Sequence, residues 1–178
     1  MRRVMIKIST FADNIYLNAY EYINNNLTNE NKLQSLIPIS EDFKKIELLN
    51  SEENEDYFEG RISILNNNQT IIDKNIPTGD LYMLWYDLYQ TTVMKTYEFS
   101  YLDVNLNIQT LQREDDAILI STVLEDNFAS YILPYKKYKK AIHEGLIEFY
   151  NHLNHDYVRN DFDSPYYFKL TEIFSEIS

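Results

Sequence analysis

Glu148, His152, His155 and Asp156 are the side chains whose types and spacing come nearest to a metal site in this sequence. His152 and His155 stand at i, i+3, Glu148 lies one turn before His152, and Asp156 follows His155. On a helix continuing to residue 156 they would share a face, where imidazole nitrogens and carboxylate oxygens can hold a transition metal. The surroundings weigh against it. The cluster lies opposite the apolar stripe of its own segment, at a C-terminal end where the helix dipole alone favours histidine. No second carboxylate–histidine segment lies near it in sequence. A solvated face is the favoured reading, with no metal and no cofactor expected, and a metal-dependent enzyme using Glu148, His152 and His155 is a rival.

Other chemistries are harder to write. The glycines are Gly60, Gly79 and Gly145, so neither a G-x-G-x-x-G dinucleotide loop nor a phosphate-cradling loop can be composed. No G-x-S-x-G supports a serine nucleophile. Carboxylate pairs are plentiful, but 28 acidic residues produce them by chance. A protein that is not an enzyme, with no catalytic residue, is the expectation.

Charge points to binding instead. The formal net charge is -12, which opposes sequence-independent attachment to nucleic acid phosphates and suits rapid steering toward a basic protein. Solubility alone is the plainer explanation of the same charge. The acids concentrate between Glu41 and Glu59, where Glu41, Asp42, Glu47, Glu52, Glu53, Glu55, Asp56 and Glu59 face only Lys44 and Lys45. This stretch reads as a solvated loop or as a docking rim. The basic run "YKKYKK" at Tyr135–Lys140 reads as the exposed start of a helix rather than a nucleic-acid patch, because the surrounding field is negative.

These groups need elements to hold them. "VMIKI" at Val4–Ile8 suits a strand, and "FADNIYLNAYEYI" after it has mainly helical spacing, with Ser9 or Thr10 as N-cap. "YFEGRISILNNNQTIID" alternates, breaks at Asn66–Asn68 and resumes, which predicts a β-hairpin, since asparagine tolerates the left-handed backbone of a tight turn. Asp80 is placed to cap a helix, "LYMLWYDLYQ". "VNLNIQTL", "AILISTVL" and "FASYIL" follow as strands joined by short turns, so they should pair antiparallel. Lys136–Asn154 carries Tyr138, Ile142, Leu146, Phe149 and Leu153 on one helical stripe, and "SPYYFKLTEIFSEI" places Ser164 and Pro165 to start a short terminal helix.

The expected fold is therefore α+β: an antiparallel sheet of about five strands in the order β-β-α-β-β-β-α, with helices packed mainly on one face. The 178 residues suit a single domain. It would comprise an N-terminal helix-and-strand extension with an acidic loop (1–56), a core of sheet and helices (57–154), and a C-terminal short helix (155–178). There is no cysteine, hence no disulfide framework. The start "MRRVMIKIST" is too short in apolar residues for a secretion signal, no run is long enough to span a membrane, and a cytoplasmic location is expected.

The tyrosine-rich helix has surplus apolar surface. Leu81, Leu84, Trp85 and Leu88 form one face, extended by Thr92, while Tyr82, Tyr86, Tyr89 and Val93 form a second stripe beside it. The second stripe either packs on the N-terminal helix or meets a partner, for which tyrosine is well suited. On the second alternative the contact residues are Tyr82, Tyr86, Tyr89, Glu52, Glu53, Glu55 and Asp56.

From Gly60 to Leu153 the pattern resembles the small immunity proteins of bacterial polymorphic toxin systems. "GRISILNNNQTIID", the "LWYDLYQTTV" helix, the alternating strands and "YKKYKKAIHEGLIEFYNHL" carry the resemblance, and Leu84, Trp85 and Leu88 match the family's L-W-x-x-L helix. The resemblance implies a non-catalytic cytoplasmic protein that binds a cognate protein toxin, such as a basic nuclease, as a monomer or weak homodimer. A homo-oligomeric structural or phage-encoded protein, with the tyrosine stripe buried against its own copy, is the other rival.

Overall fold

The computed structural model describes residues 5–13, 36–39, 59–77, 79–101, 104–153 and 165–178. Among these residues the chain is an α+β protein with two antiparallel sheets and three helices. The first sheet contains β1 (Ile6–Asp13), β2 (Leu36–Pro38), β3 (Glu59–Asn66), β4 (Gln69–Ile72) and β5 (Gly79–Asp80). Its order is β2-β1-β3-β4, and β5 pairs with β3 as well. β4 lies beside Ile64–Asn66 and β5 beside Glu59–Gly60, so the two short strands share one edge of β3.

After β5 come α1 (Leu81–Gln90), β6 (Thr96–Ser100), β7 (Leu106–Gln112), β8 (Ala117–Leu124), β9 (Asn127–Pro134), α2 (Tyr135–Leu153) and α3 (Pro165–Ile177). β6 to β9 form the second sheet as a meander in sequence order. Alternation decides which way each side chain faces. Ile108, Ile118, Ile120 and Leu133 point inward and are buried, whereas Gln109 and Leu111 point outward and are exposed. α2 packs against β1 of the first sheet and against β8 and β9 of the second, so one helix joins both sheets in a single hydrophobic core.

The turns follow the local chemistry. Asn67 adopts φ 55° between β3 and β4, the left-handed conformation anticipated from the asparagine run. Its side-chain oxygen accepts from the Met5 N–H at 3.1 Å, which ties the hairpin tip to the start of β1. Asp80 caps α1, accepting from the N–H groups of Tyr82 and Met83 at 3.0 and 3.4 Å.

Two local expectations are corrected. Ser9, Thr10 and Phe11 belong to β1 and do not begin a helix: they pair in register with Ser63, Ile62 and Arg61 of β3. Burial of Thr10 and Ala12 on one face shows the strand period overriding the helical spacing of the apolar residues. Residues 14–23 of that expected helix lie outside the described residues. The strands also divide between two sheets, because α1 intervenes between the hairpin and the meander. β6, a further strand from "TYEFS", extends the meander on its first edge.

The two sheets meet the helices at tightly fitted points. Gly145 lies in α2 against Trp85 of α1: a Cβ there would approach Cη2 of the indole to 2.6 Å. Trp85 is fully buried and stacks on Phe149, with ring centroids 5.9 Å apart. Replacing Gly145 by alanine would ordinarily strengthen a helix by about 1 kcal/mol. Here the added methyl overpacks the seam. Gly145→Ala is expected to lower stability by about 1–3 kcal/mol in urea unfolding, and a stabilised variant would contradict this packing.

Candidate functional site

The tyrosine stripe does not form a free surface. Tyr82 is fully buried, 6.0 Å from the Phe149 ring and 5.9 Å from Tyr167, centroid to centroid. Burial, with the Asp80 carboxylate and Tyr167 nearby, pushes its phenol far above the ordinary range. Tyr82 is therefore a core residue, and the expectation that it touches a partner is corrected. Tyr86 and Tyr89 are half-buried. Tyr86 packs on Tyr166, and the Lys169 ammonium lies 4.7 Å from its ring centroid. Tyr89 stacks on His143 and its hydroxyl donates to Glu176 at 3.5 Å.

The cover is α3, the terminal helix. Its Tyr166, Tyr167, Lys169 and Glu176 meet the second stripe, while Leu170 and Ile173 are buried beneath it. Tyr150 of α2 completes the seam by stacking on Phe174 at 4.2 Å. Val93 leaves the stripe, because α1 ends at Gln90 and Val93 stands exposed in the turn that follows. Glu52, Glu53, Glu55 and Asp56 lie outside the described residues.

The histidine cluster is likewise divided. His152 is half-buried and its Nδ1 is engaged with the carbonyl of Glu148, while His155 and Asp156 lie outside the described residues. Among the described residues no group of histidine and carboxylate side chains is arranged to hold a metal ion. In "YKKYKK" the tyrosines turn inward and the lysines outward. Tyr135 donates to the Thr92 carbonyl at 2.7 Å, and the buried Tyr138 hydroxyl shares a 2.8 Å hydrogen bond with Thr91 Oγ1. Burial pushes the Tyr138 phenol up to about 12, although the bond to Thr91 opposes the shift. Lys136 pairs with Asp116 at 3.4 Å and Lys140 with Glu144 at 3.5 Å.

Among the described residues, the outer face of the second sheet is an exposed surface suited to recognition. Register sets its composition by rows. Leu111 stands opposite Leu119, and Leu119 opposite Ile132. Gln109, Ser121 and Ser130 make the middle row, and Asn107, Val123 and Phe128 the third. Apolar rows thus flank a polar one. Leu111 is 38% exposed, Ile132 60% and Phe128 68%. A groove of about 430 Å³ opens on the β6–β8 side, lined among others by Thr96, Glu98, Gln109, Leu111, Leu119 and Ser121. Glu114, Asp115 and Asp116 close one end of the face, and Glu125 and Asp126 the other. Arg113 and Lys136 offset Asp115 and Asp116 by ion pairs. Exposed Glu98, Glu114, Glu125 and Asp126 leave the frame acidic. Nothing in the isolated sequence distinguished this face from an ordinary solvated one, since strand periodicity does not say what covers it.

Compared with known proteins, the chain matches no family model, no curated relative and no solved structure. Among the described residues no helix is long and apolar enough to cross a membrane.

One ionisable cluster lies beneath the helices. Asp87 of α1 is buried and accepts from the Tyr97 hydroxyl of β6 at 2.8 Å. Burial pushes the Asp87 carboxyl above its ordinary value, with the Tyr97 bond and the Lys169 ammonium pulling the other way. A carboxyl with a raised folded pKa binds its proton more tightly in the folded state. Its contribution is therefore fully present below the unfolded pKa and is lost as pH rises through the folded pKa. Asp87→Asn keeps an acceptor for Tyr97 without the charge. The stability of the wild type relative to this variant is expected to fall, in urea unfolding, as pH rises above the ordinary carboxyl range. A difference that does not change with pH would contradict the assignment.

Proposed function

We propose that this chain is a non-catalytic binding protein that neutralises a cognate bacterial protein toxin by occupying it. The observation that carries the reading is the outer face of the second sheet, where exposed apolar rows stand between acidic turns. Apolar side chains supply the area that leaves water on contact, and the acidic frame steers and orients a basic partner. A net charge of -12 extends the same field over the molecule. The resemblance of residues 60–153 to small immunity proteins agrees with this reading, as does a basic nuclease as target. The contact surface moves from the tyrosine helix to Gln109, Leu111 and Leu119.

The neighbouring reading frame supplies the test. A large secreted protein with a variable C-terminal domain is expected there, and coexpression of this chain should relieve the toxicity of that domain. A Gln109→Arg, Leu111→Arg double variant alters only exposed, outward side chains. It should fold normally yet bind the toxin domain about thirtyfold more weakly, as loss of a ~2 kcal/mol contact centre requires. Failure of the chain to bind and protect against that domain would overturn the function. Undiminished binding by the variant would overturn the assigned face.

A further inference from the structure

β9 is the last strand of the second sheet and pairs only with β8 among the described residues. Natural edge strands are normally blunted by charge, bulges or short length, because their free N–H and C=O groups template pairing with another chain. β9 has none of these devices along its length. Its sequence, "NFASYILP", carries no charged side chain, its pairing to β8 runs without a register shift, and proline stands only at its end.

Hydrogen-bond parity shows which groups are free. In an antiparallel pair, alternate residues bond to the neighbour and the residues between them point to the other side. The Tyr135 N–H donates to the Asp116 carbonyl at 2.9 Å, continuing the β8–β9 register into the next residue. Asn127, Ala129, Tyr131 and Leu133 therefore bond toward β8. The edge groups of Phe128, Ser130 and Ile132 face away from the sheet.

We infer that this edge pairs with the same edge of a second copy, antiparallel about a two-fold axis through Ser130, to make one continuous sheet. In that register Ser130 meets Ser130 of the second copy, and Phe128 meets its Ile132, twice by symmetry. Every edge N–H and C=O of those residues then finds a partner. The pairing also covers the two most exposed outward apolar side chains of the strand, Phe128 at 68% and Ile132 at 60%. An aromatic residue opposite a β-branched one is a favourable cross-strand combination. A shift by two residues toward the C-terminus sets Phe128 against Pro134, which has no N–H to give.

Charge selects the same arrangement. Glu125 and Asp126 precede β9, and Lys136 and Lys137 follow it. Antiparallel pairing brings the Glu125–Asp126 turn of each copy toward Lys136 and Lys137 of the other, at an end where Arg113 and Lys136 already offset Asp115 and Asp116. A parallel alignment would set acids against acids and lysines against lysines. The interface lies at the opposite edge of the sheet from β6, so it leaves the β6–β8 groove open while taking Phe128 and Ile132 out of the exposed apolar rows.

The chain has no cysteine, which makes a crosslink decisive. Opposed residues of a hydrogen-bonded antiparallel pair have Cα atoms about 5.5 Å apart, within disulfide reach. Ser130→Cys should therefore form a disulfide-linked dimer under mild oxidation. Phe128→Cys, whose counterpart lies well along the partner strand, should not. By light scattering the unmodified full chain should pass from monomer to dimer between about 1 and 200 μM. Ile132→Lys should weaken this association at least about a hundredfold by placing a charge in the seam, and Ser130→Pro should abolish it by removing an edge N–H. Circular dichroism of both variants should match the wild type. If Ser130→Pro fails to fold, Ile132→Lys and the crosslink still decide. A monomer throughout that range with no Ser130→Cys crosslink would overturn the pairing, as would a dimer indifferent to Ile132→Lys. A monomer whose β9 amides become protected only on adding the toxin domain would also overturn it, and would give the edge to that partner instead.

Discussion

Helix α1 has no side that can be left to water, and the rest of the molecule is arranged around that constraint. Leu81, Tyr82, Leu84, Trp85 and Leu88 are all essentially inaccessible within ten residues. Such a helix needs cover from every direction. The first sheet supplies one side, where Gly60 allows Leu81 close to the β1 and β3 backbones: a Cβ on Gly60 would collide with Leu81 Cδ1 and with the Phe11 carbonyl. α2 supplies another through Gly145 and Phe149, and α3 closes the remainder with its tyrosines. Burying a large apolar side chain contributes about 1.5–3 kcal/mol, so this one short helix organises a large share of the core.

The exit from α1 is secured by polar contacts from distant parts of the chain. Thr91 and Thr92 are buried and return their hydroxyls to the carbonyls of Leu88 and Tyr89. Gln112 of β7 donates to the Met94 carbonyl at 2.8 Å, and Tyr135 donates to that of Thr92. Helix ends leave carbonyl groups that need partners. Here those carbonyls are met by the Thr91 and Thr92 hydroxyls and the N–H groups of residues 91–94, while β7 and α2 hold the carbonyls of the turn that follows and so tie the second sheet to the helix.

Much of this was legible in the sequence. The Asp80 cap, the asparagine turn, the β8 strand and the long α2 helix each carry a local signal that the fold does not override. Beyond Ile8 the sequence signals a helix where β1 continues, because Phe11, with Ile15 and Leu17, satisfies helical spacing while the β3 strand that claims Phe11 lies some fifty residues away. The tyrosine stripe posed a different difficulty. Its residues identify themselves as half-buried or buried, but only three-dimensional docking reveals that α3 is the cover. The outer sheet face was invisible for the complementary reason: alternation predicts that one face is turned out, and Leu111, Phe128 and Ile132 look like ordinary strand residues until their register brings them into rows.

The single tryptophan stands where the constraint on α1 is tightest, wedged between Gly145 and the Phe149 ring. Its emission consequently reports one event, the closing of α1 onto α2, with no second indole to blur the signal. Changes confined to the sheet surface should leave that spectrum untouched, whereas any loosening of the helical layer must shift it. The molecule thus carries a built-in optical gauge that separates damage to its interior from damage to whatever its exterior is for.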